Sequence, residues 1–142
     1  MADTGVVVFN AKSVQAGVGN TFELFDADGN MVASIHQHLL PVEPNYEIRR
    51  QGVRVGQVHR DLAAVTFPRF VLGGADGGLV MSAEQSDTKF SLLCRGVQVA
   101  RIEKELSFVG SSYTMHVIGD VDIPTALSLL IAVDDVLGQE TA

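Results

Sequence analysis

The chain of 142 residues carries 17 acidic and 10 basic side chains, a formal net charge of −7, with 46% hydrophobic and 19% charged residues. This length suits a single domain with one solid core, and this composition excludes a disordered chain. The acidic balance excludes nonspecific nucleic-acid binding unless the basic residues gather on one face, and the single cysteine, Cys94, excludes an internal disulfide or a multi-cysteine zinc centre.

In chain order, "MADTGVVVFNAK" puts an acid where a secretory signal requires positive charge, and its apolar run Val6 to Phe9 is too short for an h-region. The reading is a cytoplasmic protein whose first strand spans Val6–Phe9. A repeat follows. The segments "GNMVASI" (29–35), "GVRVGQV" (52–58) and "GVQVARI" (96–102) share the pattern Gly-x-x-Val-(Ala/Gly)-x-(Ile/Val). Each glycine is preceded by a short run opened by an aromatic: Phe22, Tyr46 and Phe90. Weaker copies, "FVLGGADGGLV" and "YTMHVIGDVDI", begin at Phe70 and Tyr113.

Apolar residues recur at every second position, as in Val53 and Val55 or Val97 and Val99, which is the period of half-buried antiparallel sheet. Glycines between the runs supply the positive φ of tight hairpin turns. "DADGN" (26–30) is the clearest of these turns. It is not a calcium loop, because Ile35 stands where an EF-hand requires glutamate. Two strands per copy plus the first strand predict about ten to twelve, a sandwich or closed barrel without exposed edges.

The last element is "IPTALSLLIAVDDVL". Asp122 as N-cap, Pro124 in the first turn and Gly138 after the last apolar residue predict a helix over about 124–137. Its apolar side chains, Leu127, Leu130 and Ile131 among them, cover every side of the wheel, so the helix is buried. Spanning a membrane requires about 20 apolar residues, which excludes transmembrane insertion. The economical arrangement is a barrel wrapped around this helix. Its roughly 21 Å length matches strands of six or seven residues.

"YEIRRQGVRVGQV", together with "GVQVARIEKELSFVGSSYTMHVIGDVDIPTALSLLIAVDDVL", resembles the LURP-one-related group of the tubby C-terminal-like superfamily, which also includes phospholipid scramblases. The likeness covers roughly residues 20–138 and is strongest from Gly96 to Asp135. It implies a mainly β fold: one domain, residues 1–142, with an antiparallel, twelve-stranded closed barrel around a central hydrophobic helix. In the resembling families an acid often stands at the position of Asp134. The reading there is a structural role, hydrogen bonding to backbone near the barrel rim, with a polar lining of the barrel mouth as the alternative. The tubby phosphoinositide motif is not recognisable, and the helix lacks an anchor's length and flanking positive charge, so scrambling is not expected.

Chemistry-bearing residues are sparse. His36 and His38 in "HQH" share a strand face, but spacing supplies no third ligand and no metal is expected. Ser91, Ser107, Ser111, Ser112 and Cys94 have no nucleophile elbow and no locally implied base, so no catalytic residue, cofactor or enzymatic activity is assigned. Asp120 and Asp122 read as a turn and a helix cap, while Asp134 and Asp135 oppose the helix dipole.

The basic residues are unevenly spread. Arg49, Arg50, Arg54, Arg60 and Arg69 lie within 21 residues, and alternation sends Arg50 and Arg54 to one outer face if the turn keeps register. Such a face suits a phospholipid head group or another small ligand, as tubby proteins hold phosphoinositides; a solvated strand face is the alternative. Two functions follow. One is a non-enzymatic binding module in the cytoplasm, peripheral to the membrane. The other is a structural or regulatory protein–protein interaction domain, as monomer or homodimer.

Overall fold

The structure, a computed structural model, describes residues 8–14, 19–38, 45–61, 67–74, 78–84, 88–107 and 110–141. These form ten strands and one helix: β1 (Asn10–Val14), β2 (Thr21–Phe25), β3 (Met31–His38), β4 (Asn45–Arg50), β5 (Val53–Arg60), β6 (Arg69–Gly74), β7 (Leu79–Ala83), β8 (Lys89–Cys94), β9 (Val97–Ser107), β10 (Gly110–Val117) and α1 (Ile123–Thr141). All ten strands join one antiparallel sheet in chain order, β1 to β10.

The repeat explains this meander. Phe22, Tyr46, Phe70, Phe90 and Tyr113 fall in β2, β4, β6, β8 and β10. Tyr46, Phe70 and Phe90 are buried, while Phe22 and Tyr113 pack against the core from its margin. The two tightest turns, Gln51-Gly52 and Arg95-Gly96, place both central residues at positive φ, the backbone of a two-residue hairpin whose twist matches that of its strands. A Cβ on Gly52 or Gly96 would meet nothing, so the demand there is conformational rather than steric.

Two expectations are corrected and a third is met in part. The first described strand is Asn10–Val14, not Val6–Phe9; Val8 and Phe9 precede it, and Val6 and Val7 lie outside the described residues. The fifth repeat copy supplies only β10, because Asp120 and Asp122 lead into α1 instead of a second strand. Ten strands result among the described residues, and none of their pairings joins β1 to β10, so the sheet is open rather than a closed barrel of twelve.

Alternation carries Ile35, Ile48, Val58, Leu72, Met81 and Leu92 inward onto Ala126, Leu129, Leu130, Val133 and Val136 of α1. The helix is longer than expected, because it passes through Gly138 without the positive φ of a C-cap. Asp122 caps it, Oδ2 accepting from Thr125 N at 3.2 Å and from Thr125 Oγ1 at 2.5 Å. Ser128, which interrupts the apolar run, is buried and donates to Pro124 O at 2.7 Å, so its burial leaves no orphan hydroxyl.

Burial does not extend all the way round the helix. Pro124, Leu127, Ile131, Asp134 and Asp135 are only half-buried, and at about 100° per residue they form one stripe along α1. Among the described residues no helix is long and apolar enough to cross a membrane.

Candidate functional site

The arginines divide into separate groups. Arg49 and Arg54 are directly paired across the β4–β5 hairpin. Arg49 Nε donates to Glu47 Oε2 at 2.6 Å, and Arg54 Nε lies 3.8 Å from Glu47 Oε1, so one carboxylate faces two half-exposed guanidiniums. The hydrogen bond from Arg49 is the largest influence and outweighs the upward push of burial; with the lesser electrostatic pull of Arg49, His38 and Arg54 it holds Glu47 below the ordinary glutamate range.

Arg50 does not join them. Alternation along β4 turns Arg50 to the helix start, where it donates to Val32 O at 3.2 Å with Nη1 3.4 Å from Asp122 Oδ2. A β-bulge opposite Ile48 and Arg49, with Val55 as its extra residue, brings Arg54 out beside Arg49. This overturns the expectation that Arg50 and Arg54 share an outer face. Arg60 and Arg69 stand at the far end of β5, about 20 Å along the strand from Arg54. Arg60 lies 5.6 Å from the centroid of the Phe70 ring, and Arg69 Nη1 lies 3.6 Å from Asp61 Oδ2. The five arginines therefore do not make one patch.

The densest polar geometry lies at the other end of α1. Asp134 Oδ1 accepts hydrogen bonds from Lys104 Nζ at 2.9 Å and from the Tyr113 hydroxyl. Asp135 Oδ2 accepts from Tyr46 Oη at 2.5 Å and from Asn20 Nδ2 at 3.0 Å. Lys104 and Tyr113 are cross-strand partners on β9 and β10, whereas Tyr46 is on β4 and Asn20 immediately precedes β2.

Two neighbouring acids thus tie one helix turn to widely separated parts of the sheet. Burial first, then the bond to its aspartate, raises each tyrosine well above the phenol range. Asp134 had been expected to bond backbone groups; its partners are side chains. Because α1 runs on to Thr141, Asp134 lies about two turns inside the helix and not at its negative end.

Asn20, Tyr46, Lys104, Tyr113 and Asp135 were not singled out as acid partners by the sequence. A signal existed. The chain has 2 tyrosines, and both occupy aromatic slots of the repeat where the other copies have phenylalanine. An inward hydroxyl requires an acceptor, which the acids of α1 supply.

Of the helix residues expected in the core, Leu130 is buried, Leu127 and Ile131 pack on the core from the half-buried stripe, and Asp134 belongs to the acid pair. His36 and His38 do share an outward face, their rings edge to face at 5.3 Å, and Thr21 Oγ1 lies 2.6 Å from His36 Nδ1. Among the described residues no three His, Cys, Asp or Glu side chains are grouped to hold a metal ion. Asp26 Oδ1 accepts from the amides of Asp28 and Asn30, which makes "DADGN" a self-capped turn.

Cys94 is half-buried, and Ser112 is exposed. Ser91 donates to Glu84 Oε1 at 2.8 Å and accepts from Gln98 Nε2 at 3.0 Å. The side chains of Ser107 and Ser111 lie outside those described.

A family model described as LURP-one-related matches residues 1–134. Neither a curated protein nor a solved structure gives a significant match.

Proposed function

Since the chain belongs to the LURP-one-related family, within the tubby-like C-terminal superfamily, we propose that it is a non-enzymatic binding module recognising a phosphate-bearing head group at Arg49 and Arg54. The observation that carries this reading is their juxtaposition, side chains 48% and 54% exposed, with one carboxylate between them. Guanidinium forks suit phosphate oxygens, and a pair on a rigid hairpin is preorganised for them. Arg50, Arg60 and Arg69 act structurally, each engaged near its own end of the sheet. The protein works in the cytoplasm at the membrane periphery.

A second reading, a protein-interaction domain that includes homodimers, is favoured by a different observation. Met31, Val53, Val97, Val117 and Ile118 are exposed, all at the end of the sheet where the glycine turns and the helix start lie. Vesicle flotation with and without a phosphoinositide, at two salt concentrations and at every pH between about 5.5 and 7.5, tests the first reading. Salt-sensitive binding lost in the Arg49→Glu, Arg54→Glu double variant supports it. Absence of phosphoinositide-dependent binding throughout contradicts it, and a concentration-dependent dimer in light scattering then selects the second.

A further inference from the structure

Sheet register puts three histidines on one face, His36 and His38 close to Glu47 of the arginine pair and His59 five residues along β5 from Arg54. On the outward face of β3, β4 and β5, His36 is paired with Glu47, His38 with Asn45, and Asn45 in turn with His59. Inward partners on the same strands, Ile35, Gln37, Tyr46, Ile48 and Val58, are buried, which fixes these histidines on the opposite face. The ring of His59 extends beside Gly73 of β6, whose hypothetical Cβ would stand 3.7 Å from His59 Nε2.

Two atoms of this cluster lack hydrogen-bond partners. His38 Nε2 and Asn45 Oδ1, on directly paired residues, are both shielded from solvent and unbonded.

Glu47 Oε1 lies 3.9 Å from His38 Nε2 and 3.8 Å from Arg54 Nε. The fixed charges on the same face are Lys12 of β1, Glu23 of β2, Glu47 and Arg49 of β4, Arg54 of β5 and, beside His59, Arg69 of β6 with its partner Asp61, four cations against three carboxylates. Three imidazolium ions change this near-balance into a strongly cationic surface on a chain whose overall charge is −7.

We propose that the outward face of β3–β5 is an acid-gated site for a phosphate-bearing anion, with His36 and His38 adding charge and N–H donors to the Arg49–Arg54 pair and His59, about 16 Å along β5 from Arg54, adding charge to the face. The inference rests on the head-group reading above and adds its gate. Imidazole is the side chain whose charge changes between pH 5 and 8, so affinity rises as pH falls through that range. Both guanidinium and imidazolium donate charge-assisted hydrogen bonds to phosphate oxygens, whether the phosphate is free or part of a lipid.

The test compares vesicles of phosphatidylcholine alone, vesicles containing a phosphatidylinositol phosphate, and inorganic phosphate, each at about pH 5.5 and about pH 7.5. The expected result is binding about tenfold or more tighter at the lower pH. It depends on phosphate and is lost in the His36→Gln, His38→Gln, His59→Gln triple variant, but kept in His116→Gln, which changes a histidine on β10. Near-UV circular dichroism checks that each variant is folded. Binding of inorganic phosphate assigns the site to the free anion, and binding of the lipid vesicles alone assigns it to a head group; either supports the proposal. Equal affinity at the two pH values, or a pH response unchanged in a folded triple variant, overturns the gate while leaving the head-group reading intact. No phosphate-dependent binding at either pH overturns both.

Discussion

Tyr46 on β4 and Asp135 on α1 meet at 2.5 Å across 89 residues of chain, and the adjacent Asp134 meets Tyr113 of β10 on the other flank of the half-buried stripe. The helix is therefore held by more than apolar packing. Its acids couple distant strands of the sheet through one turn, which turns an apparently misplaced pair of charges at a helix C-terminus into a brace.

The brace sets the cost of removing its hydroxyls. Tyr46→Phe or Tyr113→Phe keeps the ring in the core and deprives a half-buried carboxylate of a donor, a loss of about 1–3 kcal/mol. Urea denaturation should show a lowered midpoint with an unchanged slope. A double-mutant cycle between Tyr46→Phe and Asp135→Asn should give a non-zero coupling energy, because the two residues are in direct contact.

Alkaline sensitivity follows from the same pair. Both phenols are raised above their unfolded value of about 10, so their contribution is fully present below that pH and is lost as pH rises through the folded values. Thermal unfolding should hold its Tm up to about pH 10 and then fall. The double Tyr46→Phe, Tyr113→Phe variant starts from a lower Tm and should show a shallower decline.

Two glycines on neighbouring strands should respond differently. A Cβ on Gly56 would stand 2.2 Å from Gly73 O, a backbone atom that cannot move aside without disturbing the β5–β6 pairing, whereas a Cβ on Gly73 makes only ordinary contacts with the His59 ring. Gly56→Ala should cost about 1–3 kcal/mol or more, and Gly73→Ala should stay within about 0.5 kcal/mol of wild type. Chemical denaturation distinguishes them.

Leu130 is 2% exposed, at the centre of the core. Leu130→Ala should destabilise by about 2–5 kcal/mol and remain measurable. Leu130→Asp should leave the chain unfolded, since an unpaired buried carboxylate costs several kcal/mol against a total stability of about 5–15 kcal/mol.

Much of this fold was legible because its signals are local. Aromatics at 22, 46, 70, 90 and 113 fix the recurring strand starts, and Asp122 with Pro124 fixes the helix start. What failed depends on single-residue register or on distant partners. Alternation alone turns Arg50 inward to Asp122, but the extra residue at Val55 of β5, which brings Arg54 out beside Arg49, leaves no hint in a strict alternating pattern. The helix continues past Gly138 because a glycine after an apolar run permits a stop without enforcing one. The meeting of His38, Asn45, Glu47 and His59 needs the pairing of three strands, which no single segment encodes.

Packed among the inward residues of the sheet, α1 is an interior strut of this domain. Native-state hydrogen exchange of the α1 amides from Leu129 to Val133, with vesicles absent and present, tests it most directly. If the strut is real, these amides exchange only by global unfolding, with a protection free energy equal to the stability from urea denaturation and already present without vesicles. Exchange through low-energy local opening, or protection that arises only when vesicles are added, would contradict it.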